Sequence, residues 1–148
     1  MELPEMKKRE RLLLAVDMGN TLIKLGAFRD GQIVEHFQLA SDRERTPDEL
    51  GLQIKGLMQG MGVPSKELEG VIISSVVPHL NWPLRQAFRR HLGMESHFFN
   101  YEWGLIPLEV EEPSKVGNDR LADSLAGFML YGGPLLVINF GTASTFNL

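Results

Sequence analysis

The sequence predicts an α/β fold built on a mixed sheet of about five strands, opening as an antiparallel meander and carrying helices on both faces. Three observations carry this prediction. Apolar runs at residues 12–16, 22–28 and 33–39 follow one another with tight connections. After Thr46 the hydrophobic period changes from that of strands to that of helices. From there helix-like and strand-like segments alternate to the end of the chain.

The short unbroken run at residues 12–16 has the length and composition of a buried strand. Asp30 and Gly31 lie between the second and third runs, and both residue types accept the positive φ of a two-residue hairpin. Thr46-Pro47-Asp48-Glu49 reads as a helix start, with Thr46 as N-cap, Pro47 at the first position and Glu49 closing a capping box. Leu50, Ile54, Leu57, Met58 and Met61 recur at helical spacing until Gly62 and Pro64 end the helix. Residues 71–77, Val-Ile-Ile-Ser-Ser-Val-Val, read as a strand buried on both faces. Asn81 is placed to cap a second helix carrying Leu84, Phe88 and Leu92, and residues 96–99 form a short fifth strand. A loop with Pro107 and Pro113 leads to a third helix over residues 119–131. Gly132-Gly133-Pro134 then turns the chain into a strand at 135–140, followed by a hairpin tip in Gly-Thr-Ala-Ser-Thr. Meander, helix, strand, helix, strand, helix is the order of a ribonuclease H-like domain. The expected division is a frayed stretch at 1–10, that domain at 11–117, and at 118–148 a linking helix with the first strands of a second, truncated domain of the same kind.

Composition excludes several classes. A chain of 148 residues with 43% hydrophobic and 23% charged residues is an ordinary globular protein with one main core. A formal charge of −4 gives no general attraction to nucleic acid. The absence of cysteine removes disulfides and thiolate metal sites. Lys7, Lys8, Arg9 and Arg11 before the first apolar run imitate a signal peptide, but Asp17 and Asn20 interrupt the run too early. No stretch is apolar for long enough to span a bilayer. The expectation is a cytoplasmic protein without membrane or nucleic-acid partners.

Two segments carry chemistry. Asp17-Met18-Gly19-Asn20-Thr21-Leu22-Ile23-Lys24 joins the first strand to the second. Gly19 lets backbone N–H groups approach phosphate oxygens with no Cβ in the way. Thr21 adds a hydroxyl donor, Lys24 a point positive charge, and Asp17 a carboxylate able to hold Mg²⁺ through water. Gly-Asn-Thr alone would serve equally as turn geometry; the preceding Asp17 and the flanking strands favour phosphate binding. The second segment, Gly117-Asn118-Asp119-Arg120, stands where the third helix begins. Taken alone, Asp119 reads more simply as an N-cap and Arg120 as a solvated first-turn residue. The chemical reading makes Asp119 a proton acceptor for a substrate hydroxyl, with Arg120 and helix-terminal N–H groups holding a carboxylate. The strand-Gly-Thr pattern at Asp17 to Thr21 returns at Asn139-Phe140-Gly141-Thr142. His36, His79, His91 and His97 have no metal-ligand spacing, and Trp82 and Trp103 read as packing anchors. Ser74-Ser75 lacks the glycines of a nucleophile elbow.

Four motifs in this order resemble type III pantothenate kinases of the actin-like superfamily, which also holds the heat-shock ATPases and sugar kinases. They are Asp17-x-Gly19-Asn20-Thr21; Ile72-Ile73-Ser74-Ser75-Val76-Val77-Pro78; Pro113-x-x-Val116-Gly117-x-Asp119-Arg120; and Phe140-Gly141-Thr142-Ala143-x-Thr145. The resemblance runs over residues 12–148 and implies transfer of the ATP γ-phosphate to pantothenate, the first step of coenzyme A synthesis. It implies that Asp17, Met18, Gly19, Asn20, Thr21, Leu22, Ile23 and Lys24 form the ATP phosphate loop, with Thr142 also touching ATP. It further implies that Gly117, Asn118, Asp119 and Arg120 bind pantothenate, Asp119 being the proton acceptor, and that Mg²⁺ accompanies ATP.

The chain departs from the family pattern at three places. Asn139 stands where the family has an Asp that binds a monovalent cation, K⁺ or NH₄⁺; Asn147 stands where it usually has another Asp; Val110 replaces a common aromatic. The resemblance also implies a longer protein, this chain stopping as its second domain begins. Strands without their sheet predict a homodimer or larger assembly, with the C-terminal strand at the interface and weak or no turnover by the chain alone. An alternative reading is a non-catalytic relative that binds nucleotide or acts in regulation as an accessory factor, and Asn139 and Asn147 point that way.

Overall fold

The computed structural model describes residues 11–148, so the expectation of a frayed 1–10 falls outside the described residues. Strands β1 (Leu12–Met18), β2 (Leu22–Arg29) and β3 (Gln32–Ala40) form the antiparallel meander. Asp30 at φ 50 and Gly31 at φ 82 make the β2–β3 turn, the left-handed pair that such a hairpin needs. Helix α1 (Pro47–Gly60) then crosses to β4 (Leu68–Ser75), which pairs in parallel with β1. Helix α2 (Pro78–Ala87), extended by a π-helical turn at Phe88–Leu92, leads to β5 (Ser96–Phe98), parallel to β4. The sheet order is β3-β2-β1-β4-β5. Helix α3 (Asn118–Tyr131) follows the long loop, and β6 (Val137–Phe140) and β7 (Ser144–Asn147) close an antiparallel hairpin that is a sheet of its own.

The predicted capping box is present. Thr46 Oγ1 accepts from the Glu49 N–H at 3.2 Å, and the Thr46 N–H donates to the Glu49 carboxylate at 2.8 Å. Those bonds stabilise the ionised Glu49 and pull its pKa below the usual value, the backbone bond being the larger cause.

The core lies on one face of the sheet. Leu12, Leu14, Val16 and Met18 of β1 and Ile23, Leu25 and Ala27 of β2 bury against Leu50, Ile54 and Met58 of α1 and Leu80, Leu84 and Phe88 after it. The alternate residues of the same strands point the other way, as the two-residue period requires. On that second face lies an apolar groove of about 590 Å³, lined by Ala15, Gly26 and Ile72 of the sheet and by Ala122, Leu125 and Ala126 of α3. Helices thus lie on both faces, but unequally.

Two sequence expectations are corrected here. β4 is not buried on both faces: Val71 and Ile73 are buried, whereas Ile72 is 40% exposed on the half-covered side. Its β-branched run stops being strand at Ser75, because Pro78 starts a helix and keeps Val77 out of helical backbone, at φ -126 and ψ 74. Asn81 does not cap α2 but lies inside it. Val77 is the N-cap, without a side-chain cap bond, and Pro78 takes the first helical position; Asn81 Oδ1 instead accepts from the Ser75 hydroxyl at 2.6 Å, which itself accepts from the Val77 N–H at 3.1 Å.

Candidate functional site

The site lies where the C-terminal ends of β1 and β4 meet the start of α3. Asp17 and Ser74 are register partners on adjacent parallel strands, so both side chains point to the same face, above the groove. Beyond Met18 the chain turns through Gly19, whose N–H bonds the Leu22 carbonyl at 3.0 Å. A Cβ on Gly19 would come within 3.3 Å of that carbonyl oxygen, tighter than side chains ordinarily pack. The turn is tied on the other side by the Val76 N–H, which donates to the Met18 carbonyl at 3.1 Å. Helix α3 is tied to the same place: the Asn118 side-chain amide donates to the Ser75 carbonyl at 3.1 Å.

These ties enclose a cleft of about 570 Å³. Its walls carry Asp17, Gly19, Asn20, Thr21, Leu22 and Lys24 from the first turn, Asp119 and Asp123 from α3, and Asn139 and the Gly141-Thr142 turn from the hairpin. Thr21 Oγ1 and Thr142 Oγ1 share a hydrogen bond of 2.9 Å across it, so the two Gly-Thr turns face one another. Not every predicted residue reaches the cleft. Met18 and Ile23 are fully buried in the core, and only their backbone belongs to the turn. Arg120 points at the hairpin: its Nε donates to Asn147 Oδ1 at 2.6 Å and its Nη2 to the Phe146 carbonyl at 2.9 Å. Gly117 is the N-cap of α3 and makes no side-chain bond; a Cβ there would sit 2.5 Å from Asp119 Oδ1, so its lack of one makes room for that carboxylate. Asp119 is in the first turn of the helix, not the cap, and its Oδ1 accepts from the Arg120 N–H at 2.8 Å.

Sequence reasoning missed Asp123, whose Oδ2 accepts from the Asn139 side-chain amide at 2.8 Å. The available signal was its spacing: Asp119 and Asp123 are four apart on one helix and share a face. With Asp17 they bring three carboxylates to a cleft whose walls hold one ammonium, Lys24, 3.9 Å from Asp17. The Asp17 carboxyl is raised above its ordinary pKa, chiefly by burial and further by Asp119 and Asp123, while Lys24 works against the shift.

Among the described residues no three His, Asp or Glu side chains stand close enough together to hold a metal ion. Asn139 brings a neutral side-chain amide to the cleft wall. Among the described residues no helix is long and apolar enough to cross a membrane.

Fold and cleft together define the class first: a mixed five-stranded sheet of actin-like type with a second Gly-Thr hairpin facing it. The same fold occurs in a reductive activator for a corrinoid, iron–sulfur protein, at a TM-score of 0.57 and 15% identity over 93% of this chain and 29% of that one. The family profile of type III pantothenate kinases matches residues 13–148. The type III pantothenate kinase of Moorella thermoacetica is 41% identical over 92% of this chain and 54% of its own length. That of an Exiguobacterium species is 38% identical over 91% and 54%. The chain belongs to the type III pantothenate kinase family, and it spans about half the length of the curated relatives it matches.

The raised Asp17 carboxyl has a consequence for stability. Its charged form is disfavoured by folding, so the destabilisation is present above the folded pKa and disappears as pH falls below the unfolded value. Asp17→Asn is therefore expected to have a higher urea midpoint than the parent chain at pH 7, with the gap closing towards about pH 4. A gap that widens on acidification contradicts the assignment.

Proposed function

We propose that this chain supplies the phosphate-binding and proton-accepting half of a kinase that transfers the γ-phosphoryl group of ATP to the primary hydroxyl of pantothenate. The observation that carries the reading is the meeting of three segments, around residues 20, 119 and 142, on the walls of one cleft. Phosphoryl transfer asks mainly for positioning and charge neutralisation. In this reading the N–H groups and the Thr21 hydroxyl of the first turn hold phosphate oxygens, and Lys24 places a positive charge on them. Asp119 accepts the proton as the pantothenate oxygen forms its bond to phosphorus and the bond to the ADP oxygen breaks. Thr142 approaches the nucleotide from the opposite wall. Asp17 would hold Mg²⁺ through water, and the ion would supply the positive charge that three carboxylates and a polyphosphate lack. A monovalent cation, K⁺ or NH₄⁺, would find at Asn139 a weaker attraction than a carboxylate exerts.

Radiolabelled ATP offered with pantothenate, acetate and hexoses tests the assignment in a protein carrying the complete cleft. Label is expected on pantothenate, with Asp119→Asn lowering kcat by roughly two to four orders of magnitude while ATP affinity changes little. Label on acetate or a hexose instead, or near-full turnover by a folded Asp119→Asn protein, sinks it. Nucleotide binding without transfer to any acceptor would favour the non-catalytic alternative.

Self-association belongs to the same proposal. Phe128, Met129, Leu130 and Tyr131 at the end of α3, with Phe140 and Phe146 on the hairpin, are each more than half exposed. An apolar surface of this kind is covered in a stable assembly. A homodimer using it is expected in light scattering at micromolar concentration; a well-behaved monomer refutes it.

A further inference from the structure

The hairpin β6–β7 has no backbone hydrogen bond to the five-stranded sheet, so side chains must hold its tip against the cleft. Near its open end, where Val137 pairs with Asn147, the Arg120 guanidinium grips Asn147 and the Phe146 carbonyl. Below the tip, Gly127 of α3 lets Leu135 and Val137 approach closely; a Cβ there would lie 2.8 Å and 3.0 Å from their methyl carbons. At the tip, the bond from Asn139 to Asp123 links α3 to the residue two before Gly141. Thr142 and its contact with Thr21 follow directly.

The pairing is between an amide that donates and a carboxylate that can only accept. Two carboxylates at these positions would face each other with no donor between them. The surrounding charges sharpen the effect: Asp119 on the same helix and Asp17 from β1 add negative charge to the cleft, and Lys24 from β2 is the cation on its walls.

We propose that Asp123 is a positioning residue, holding the Asn139 amide and through it the Gly141-Thr142 turn against Thr21, with one negative charge shared between positions 123 and 139 that can occupy either but not both. This goes beyond the proposed activity and does not depend on which hydroxyl is phosphorylated. It also reinterprets Asn139: the charge absent there is present one contact away.

The exchange of charge supplies the test, read on the 148-residue chain by protection of backbone amides against hydrogen exchange. In Asn139→Asp, protection of the β6–β7 amides is expected to fall roughly tenfold or more at neutral pH, a range typical of coupled neighbours. It should recover as pH falls through the carboxylate range, because protonating one of the pair restores a donor. Asp123→Asn, which leaves an acceptor in place, should cost less. The exchanged pair, Asp123→Asn with Asn139→Asp, should return the hairpin to parental protection. Amides of β1 and β4 report whether the effect is local, and rescue by the exchanged pair remains decisive even where Asn139→Asp unfolds more widely. Parental protection in Asn139→Asp at neutral pH, or an exchanged pair no better than Asn139→Asp, overturns the proposal.

Discussion

Everything in the site depends on the double pairing of β1. It is bonded along its length on both edges, antiparallel to β2 and parallel to β4, and so joins the meander to the parallel half of the sheet. Its C-terminal end therefore has no freedom, and Asp17, Met18 and Gly19 are placed by the sheet before any ligand arrives. The neighbouring strand end delivers Ser74 and Ser75 to the same level, and the bond from Asn118 to the Ser75 carbonyl fixes where α3 starts. Asp119 and Asp123 then reach the cleft by helical geometry alone. Preorganisation of this sort suits phosphoryl transfer, in which the protein contributes position and charge more than covalent chemistry.

The opposite wall is built differently. The hairpin carrying Thr142 is small, its outward residues are apolar and exposed, and it is held by Arg120, the close approach at Gly127 and the Asp123–Asn139 bond. One wall is thus rigid by virtue of a core, and the other is positioned by a few polar contacts. The conversion of Arg120 into a brace for β7 gives a residue expected to touch substrate a structural task in this chain.

Much of this was legible in the sequence because it rests on local rules. The Asp30-Gly31 turn and the Thr46–Glu49 capping box are each decided within four residues, and both are present as read. The Gly-Thr echo was also legible as a repeated pattern, though that its two copies meet through Thr21 and Thr142 is seen only in the structure. What could not be read depends on contacts between elements. The β-branched run of β4 indicates a strand but not how far a helix covers its second face, so Ile72 was misjudged. Asn81 is a good capping residue in isolation, yet Pro78 and Ser75 settle the helix start first. Asp123 belongs to no motif; its spacing from Asp119 puts it on the same helix face, but its bond to Asn139 appears only when α3 and β6 are seen side by side.

The central claim is that the two Gly-Thr turns form the walls of a single nucleotide site. It is tested most directly by following backbone amide resonances of this chain during titration with magnesium and ATP. The account predicts that Gly19, Asn20 and Thr21 on one wall and Gly141 and Thr142 on the other shift together, with one common affinity. Shifts confined to one turn, or to residues of the apolar groove beneath the sheet, would contradict it.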